Sequence, residues 1–179
     1  LRALWLLGSS GIEHSLAGAF GGERGVRGSG GALRWTAGMV VQWAEDRTLR
    51  RATRALLAHR LTNFRPDVVV AHSLGSLIAY DTFRRVPALL TARTLVTLGS
   101  QIGNPFVRNT LGGRIAPLPT AARWFNLHNP HDHAFTSRFH VPDDGFVEVE
   151  TGFDSPGPLN HDALEYLAQV SALGHVVFS

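Results

Sequence analysis

Asp67-Val-Val-Val-Ala-His-Ser-Leu-Gly-Ser-Leu-Ile-Ala-Tyr80 is the stretch whose reading decides the fold. Val68 to Ala71 is a short, β-branched, uniformly apolar run, the pattern of a strand buried on both faces. It runs with no intervening loop into a segment, from about Gly75 to Arg85, that reads as a helix. A chain that turns from strand to helix this sharply holds the residue at the apex in a strained backbone conformation, so the residues two positions to either side must be small. Ala71 and Gly75 meet that need around Ser73. The turn lifts the Ser73 hydroxyl above the end of the sheet and aims the positive end of the helix at it. The plainer alternative is a serine that merely caps a helix, but a buried strand leading straight into it favours an exposed nucleophile.

Outward from this turn, strands and helices alternate. Ala3 to Leu7 reads as a buried strand stopped by Gly8-Ser9-Ser10-Gly11. Residues 18–38 are so rich in glycine that they read as a flexible loop, and as the place where residues would be missing if any are. Met39 to Leu61 reads as one helix, with Asp46 and Arg50 forming an i,i+4 pair. Thr94 to Leu98 is a third strand, 99–121 a long loop with four Gly and three Pro, and Ala122 to Leu127 a fourth strand halted at Pro130. Gly145 to Glu150 alternates like a strand near a sheet edge, and Asp162 to Ala172 reads as a last helix. This order predicts an α/β fold, a mostly parallel sheet with helices on both faces, in a single domain spanning 1–179.

Composition narrows the function. With no cysteine there is no disulfide framework, no Cys-ligated metal and no thiol nucleophile. All 17 basic residues are arginine, which fits the codon bias of a GC-rich bacterial genome. Residues 1–65 carry ten arginines against four acids, and residues 66–179 carry seven against ten, so the overall +3 is poor support for nucleic-acid binding. Arg47, Arg50, Arg51 and Arg54 read as a solvated helix face. No apolar run approaches the roughly 18–20 residues of a membrane span, and the opening segment does not read as a signal peptide. The expectation is a cytoplasmic protein, although a chain that opens on Leu1 is not an intact translation start.

The elbow at 71–75, with Ala71 where Gly is usual, resembles that of the α/β-hydrolase superfamily, specifically its small serine esterases and lipases. So does Thr94-Leu-Val-Thr-Leu-Gly-Ser-Gln-Ile-Gly103, and the resemblance runs from Ala3 to about Val170. It implies an α/β-hydrolase fold with little or no cap domain, since 179 residues is short for that fold. It also implies a triad in the chain order Ser, Asp, His. Asp132, just past the fourth strand, then becomes the acid, with Asp154 as runner-up and Asp143 and Asp144 as turn residues. His161, in the loop before the last helix, becomes the base. His72 is expected to pack beside the elbow; His14 and His59 precede the nucleophile and His175 lies beyond the last helix.

The backbone N–H of Leu74 and that of Ser9 are the candidate oxyanion donors. The cluster His128, His131, His133 and His140 straddles a strand end and a proline turn, a poor frame for zinc. No metal and no cofactor are expected, and Ser76 and Asp81 are assigned structural roles. The implied activity is carboxylic ester hydrolysis on a small-molecule ester or acyl substrate, through an acyl-enzyme on Ser73. A thioesterase or acyltransferase releasing a carrier-bound acyl group, and a non-catalytic hydrolase-like binding domain, are the alternatives.

Overall fold

A computed structural model describes residues 2–6, 29–134, 136–169 and 174. Its centre is a five-stranded, all-parallel sheet: β1 (Ala3–Leu6), β2 (Val68–His72), β3 (Thr94–Leu98), β4 (Arg123–His128) and β5 (Phe146–Glu150), ordered β1-β2-β3-β4-β5. The register sets Ala71 beside Leu6 on one side and Thr97 on the other, and Leu98 beside Leu127. The carboxyl ends of the three central strands therefore lie abreast. β5 is an edge strand, as its alternating pattern predicts.

Sequential parallel strands joined by crossovers of one hand place their connecting helices on one face of the sheet. α1 (Ser29–Glu45), α2 (Arg47–Phe64), α3 (Leu74–Arg85) and α4 (Pro105–Thr110) are those connections. Trp43, Leu57, Leu77, Phe83 and Val107 from these helices pack with Val69, Ala71, Leu95 and Trp124 of the strands. The alternate strand residues, Val68, Val70, Val96, Leu98, Phe125 and Leu127, form a second cluster with Tyr166. Tyr166 belongs to α5 (Ala163–Ala168), so among the described residues the second face is covered more thinly than the first. The α/β reading and its parallel sheet hold. Among the described residues no helix is long and apolar enough to cross a membrane.

Three local expectations are corrected. The single helix expected over 39–61 is two helices, and the first begins at Ser29, inside the stretch read as a loop over 18–38. The break is at Asp46, whose backbone is extended and whose carboxylate accepts the N–H groups of Thr48 and Leu49. An aspartate whose oxygens meet the first free amides of a helix caps it, so it does not pair along the helix with Arg50. Arg50 instead donates to the carbonyl of Thr110 and lies over the Trp43 ring. In the expected loop over 99–121, Asn104 caps α4 through the N–H of Phe106, with Pro105 at the first position, where a missing N–H costs nothing. The last helix is shorter than expected, ending at Ala168; residues 170–173 are outside the described set, as are Leu7, Ser9 and the 18–28 part of the glycine-rich stretch.

Candidate active site

Because β2, β3 and β4 end side by side, the loops that follow them meet at one edge of the sheet. Ligand sites of parallel α/β sheets form at this carboxyl edge. β2 delivers Ser73 at φ 52°, ψ −127°, a conformation that costs a non-glycine residue about 1–3 kcal/mol. The surroundings hold it there. The Ser73 N–H donates to the Leu98 carbonyl at 3.0 Å, and the Ser76 hydroxyl donates to the Ser73 carbonyl at 2.6 Å. Ser76 in turn is bonded to the Ser100 hydroxyl at 2.7 Å, which accepts the Ile102 N–H. A Cβ at Gly75 would collide with the carbonyl oxygen of Leu6, so the turn requires glycine there to let α3 sit against β1.

β4 delivers Asp132 through a turn in which the Asn129 side chain accepts the His131 N–H. The 3-10 turn Gly157–His161 and the start of α5 deliver His161. The three candidate residues form one line of hydrogen bonds. Ser73 Oγ is 2.8 Å from His161 Nε2, and His161 Nδ1 is 2.7 Å from Asp132 Oδ2. Gly99, at φ 51°, lies against this line, where a Cβ would crowd both the Asp132 carboxylate and the His161 ring.

Asp132 also accepts the phenol of Tyr166 at 2.7 Å and the N–H of Ala134 at 2.9 Å. Burial alone would raise its pKa, but the bonds from His161, Tyr166 and Ala134 outweigh that and hold it below the ordinary carboxylate value. Burial, reinforced by that carboxylate, pushes Tyr166 far upward, so the phenol stays protonated and keeps donating. His72, the residue between Ala71 and Ser73, is buried with its ring 4.7 Å from that of His161. Burial, then the neighbouring His161, pushes its pKa down to about 3, so it is an uncharged wall behind the His161 imidazole.

The other expectations sort by contact. Asp154 accepts the side-chain amide of Asn160, six residues on, instead of reaching His161, and Asp143 holds a turn by accepting the Gly145 N–H. Asp81 is ion-paired with Arg54 and Arg85. Among the described residues no group of three or more His, Cys, Asp or Glu side chains converges on a metal position. Leu74 opens α3, and an N–H in the first turn of a helix has no carbonyl partner within it. Ser9, the second proposed donor, lies outside the described residues, as do His14 and His175.

Two residues that the sequence reading overlooked stand inside the site: Tyr166 on Asp132, and Gln101, whose Nε2 is 3.1 Å from Ser73 Oγ. A last-helix tyrosine five residues past His161 carries no local signal that separates it from a core aromatic. Gln101 carried one, a buried-loop amide directly after the Gly99-Ser100 turn beside the nucleophile strand. Comparison with protein-family models, curated proteins and solved structures gives no match for the chain.

Proposed function

We propose that this chain is a serine hydrolase of the α/β-hydrolase type that cleaves carboxylic esters through an acyl-enzyme on Ser73. The observation that carries the reading is the Ser73–His161–Asp132 line, with both links shorter than 3 Å and the serine held at positive φ. The chain order, Ser73 after β2, Asp132 after β4 and His161 after β5 of one parallel sheet, supports the fold-family assignment.

In this mechanism the Ser73 hydroxyl gives its proton to His161 Nε2 while Oγ adds to the ester carbonyl. The carbonyl oxygen becomes an oxyanion facing the first turn of α3, where the Leu74 N–H and the helix dipole stabilise it. Collapse expels the alcohol, which takes the proton from His161. Water then repeats the sequence on the acyl-enzyme with His161 as base, releasing a carboxylic acid. Asp132 fixes the His161 tautomer and stabilises the imidazolium, and Tyr166 and Ala134 fix Asp132.

The same residues would serve a thioester as well as an oxygen ester. Turnover of a chain-length series of p-nitrophenyl esters against acyl thioesters separates the two, with Ser73→Ala as control. The expected result is faster cleavage of the oxygen esters, abolished in the Ser73→Ala protein. Faster thioester cleavage would move the assignment to a thioesterase, and equal rates for parent and variant would leave a binding domain.

A further inference from the structure

Gln101 touches the nucleophile, and the mechanism above leaves it without a role. It is fully buried, 0% exposed. Its Nε2 lies 3.1 Å from Ser73 Oγ and 3.1 Å from the carbonyl oxygen of Ala134. A carbonyl oxygen only accepts, so the amide group facing Ala134 is the NH2, and that same nitrogen donates to Ser73 Oγ. The Ala134 N–H meanwhile donates to Asp132 Oδ1. Nucleophile, base, acid, Ala134 and Gln101 thus close a ring of contacts. Among the described residues the Gln101 Oε1 is buried with no hydrogen-bond partner. Burying a half-satisfied amide is unfavourable, and the Ala134 carbonyl needs only one of the amide's two N–H groups, which leaves the other for Ser73 Oγ. Packing alone therefore does not account for Gln101.

We propose that Gln101 is a catalytic residue of deacylation, its Nε2–H stabilising Ser73 Oγ as that oxygen leaves the acyl group; this rests on the ester-hydrolase reading. In the resting protein Oγ donates its proton to His161 and accepts from Gln101. In the acyl-enzyme it is an ester oxygen with little charge. Water gives a proton to His161 Nε2 and adds to the acyl carbon. The tetrahedral intermediate then collapses by breaking the C–Oγ bond. The electron pair goes to Oγ, the proton passes from His161 to Oγ, and the carboxylic acid departs. Negative charge on Oγ grows in that step, and a preplaced donor lowers its barrier. In acylation Oγ instead gives electron density to carbon, so the same donor brings no gain. An amide held on Oγ throughout favours release of the acyl group over its capture.

The test is Gln101→Met, close in shape and without the donor, assayed by stopped flow and steady state on p-nitrophenyl butyrate with the full chain. The expected result is kcat lower by about tenfold, the size of one charge-assisted hydrogen bond. KM should fall with it, leaving kcat/KM, which reports acylation, close to the parent's, and the p-nitrophenolate burst should persist. Gln101→Leu makes the same deletion with a different apolar shape, and labelling by a fluorophosphonate at the parent's rate shows that either variant is folded with Ser73 and His161 in place. An unchanged kcat, or kcat/KM falling in step with kcat, would overturn the proposal. Loss of labelling in both variants would do the same by making Gln101 structural. A parent that hydrolyses no ester would overturn the ester-hydrolase reading itself and this proposal along with it.

Discussion

Three hydrogen bonds converge on the carboxylate of Asp132, from His161, Tyr166 and Ala134, and a buried anion held that way keeps its charge and its orientation. Replacing it with asparagine retains the shape but presents an amide that can hold the wrong His161 tautomer. Asp132→Asn is accordingly expected to lower kcat by about 10³–10⁴-fold while the far-UV circular dichroism of the fold is retained. Asp154→Asn, which disturbs only a contact with Asn160, should turn over at the parent's rate. The reverse pattern in these two assays would reassign the acid. Residues of this kind differ in how far sequence reveals them. Ser73, Asp132 and His161 were legible because strand ends and chain order mark them. Tyr166 was not, because its spacing on the last helix is that of a core aromatic and its bond to Asp132 follows from tertiary packing alone; Gln101 was marked only by its place after the Gly99-Ser100 turn.

β2 and α3 are joined with no loop between them, and the join depends on how closely α3 approaches β1. At Gly75 any side chain would meet the Leu6 carbonyl, a backbone atom that cannot swing aside. Gly75→Ala should therefore force the helix off the sheet and cost about 1–3 kcal/mol of stability, read as a lower midpoint in urea unfolding. An unchanged midpoint would mean that α3 does not sit against β1 as described. Strands were the most legible elements: β3 has the predicted bounds and β2 is one residue longer than its apolar run. The helices were less legible, since periodicity continues across the break at Asp46 while the cap chemistry that ends α1 and starts α2 is a single residue's. α4 was hidden for the same reason, because a Gly- and Pro-rich stretch still forms a short helix when Asn and Pro occupy its first positions.

Across the whole molecule, sequential parallel order gathers Ser73, Asp132 and His161 at one sheet edge and places an uncharged His72 beneath them. The folded pKa of His72, about 3, lies well below the roughly 6.5 of an unfolded histidine. The unfolded chain therefore binds the extra proton, so stability is fully present above pH 6.5 and falls as the pH drops toward 3. His72 contributes a slope of up to about 1.4 kcal/mol per pH unit in that window. His72→Phe should make the slope of unfolding free energy between pH 6.5 and 4 shallower, leaving the part that comes from His128, whose folded pKa burial also lowers, and the separate loss below about pH 4 that comes from Asp132, whose folded pKa is also depressed. A variant with the parent's slope would contradict this. The central claim, that Ser73 is an activated nucleophile, is tested most directly by treating the protein with a fluorophosphonate and locating the adduct by peptide mass spectrometry. One adduct per chain on Ser73, absent in Ser73→Ala and slowed severely in His161→Ala, is the expected result. An unlabelled parent, or an adduct equally abundant in the Ser73→Ala protein, would contradict it.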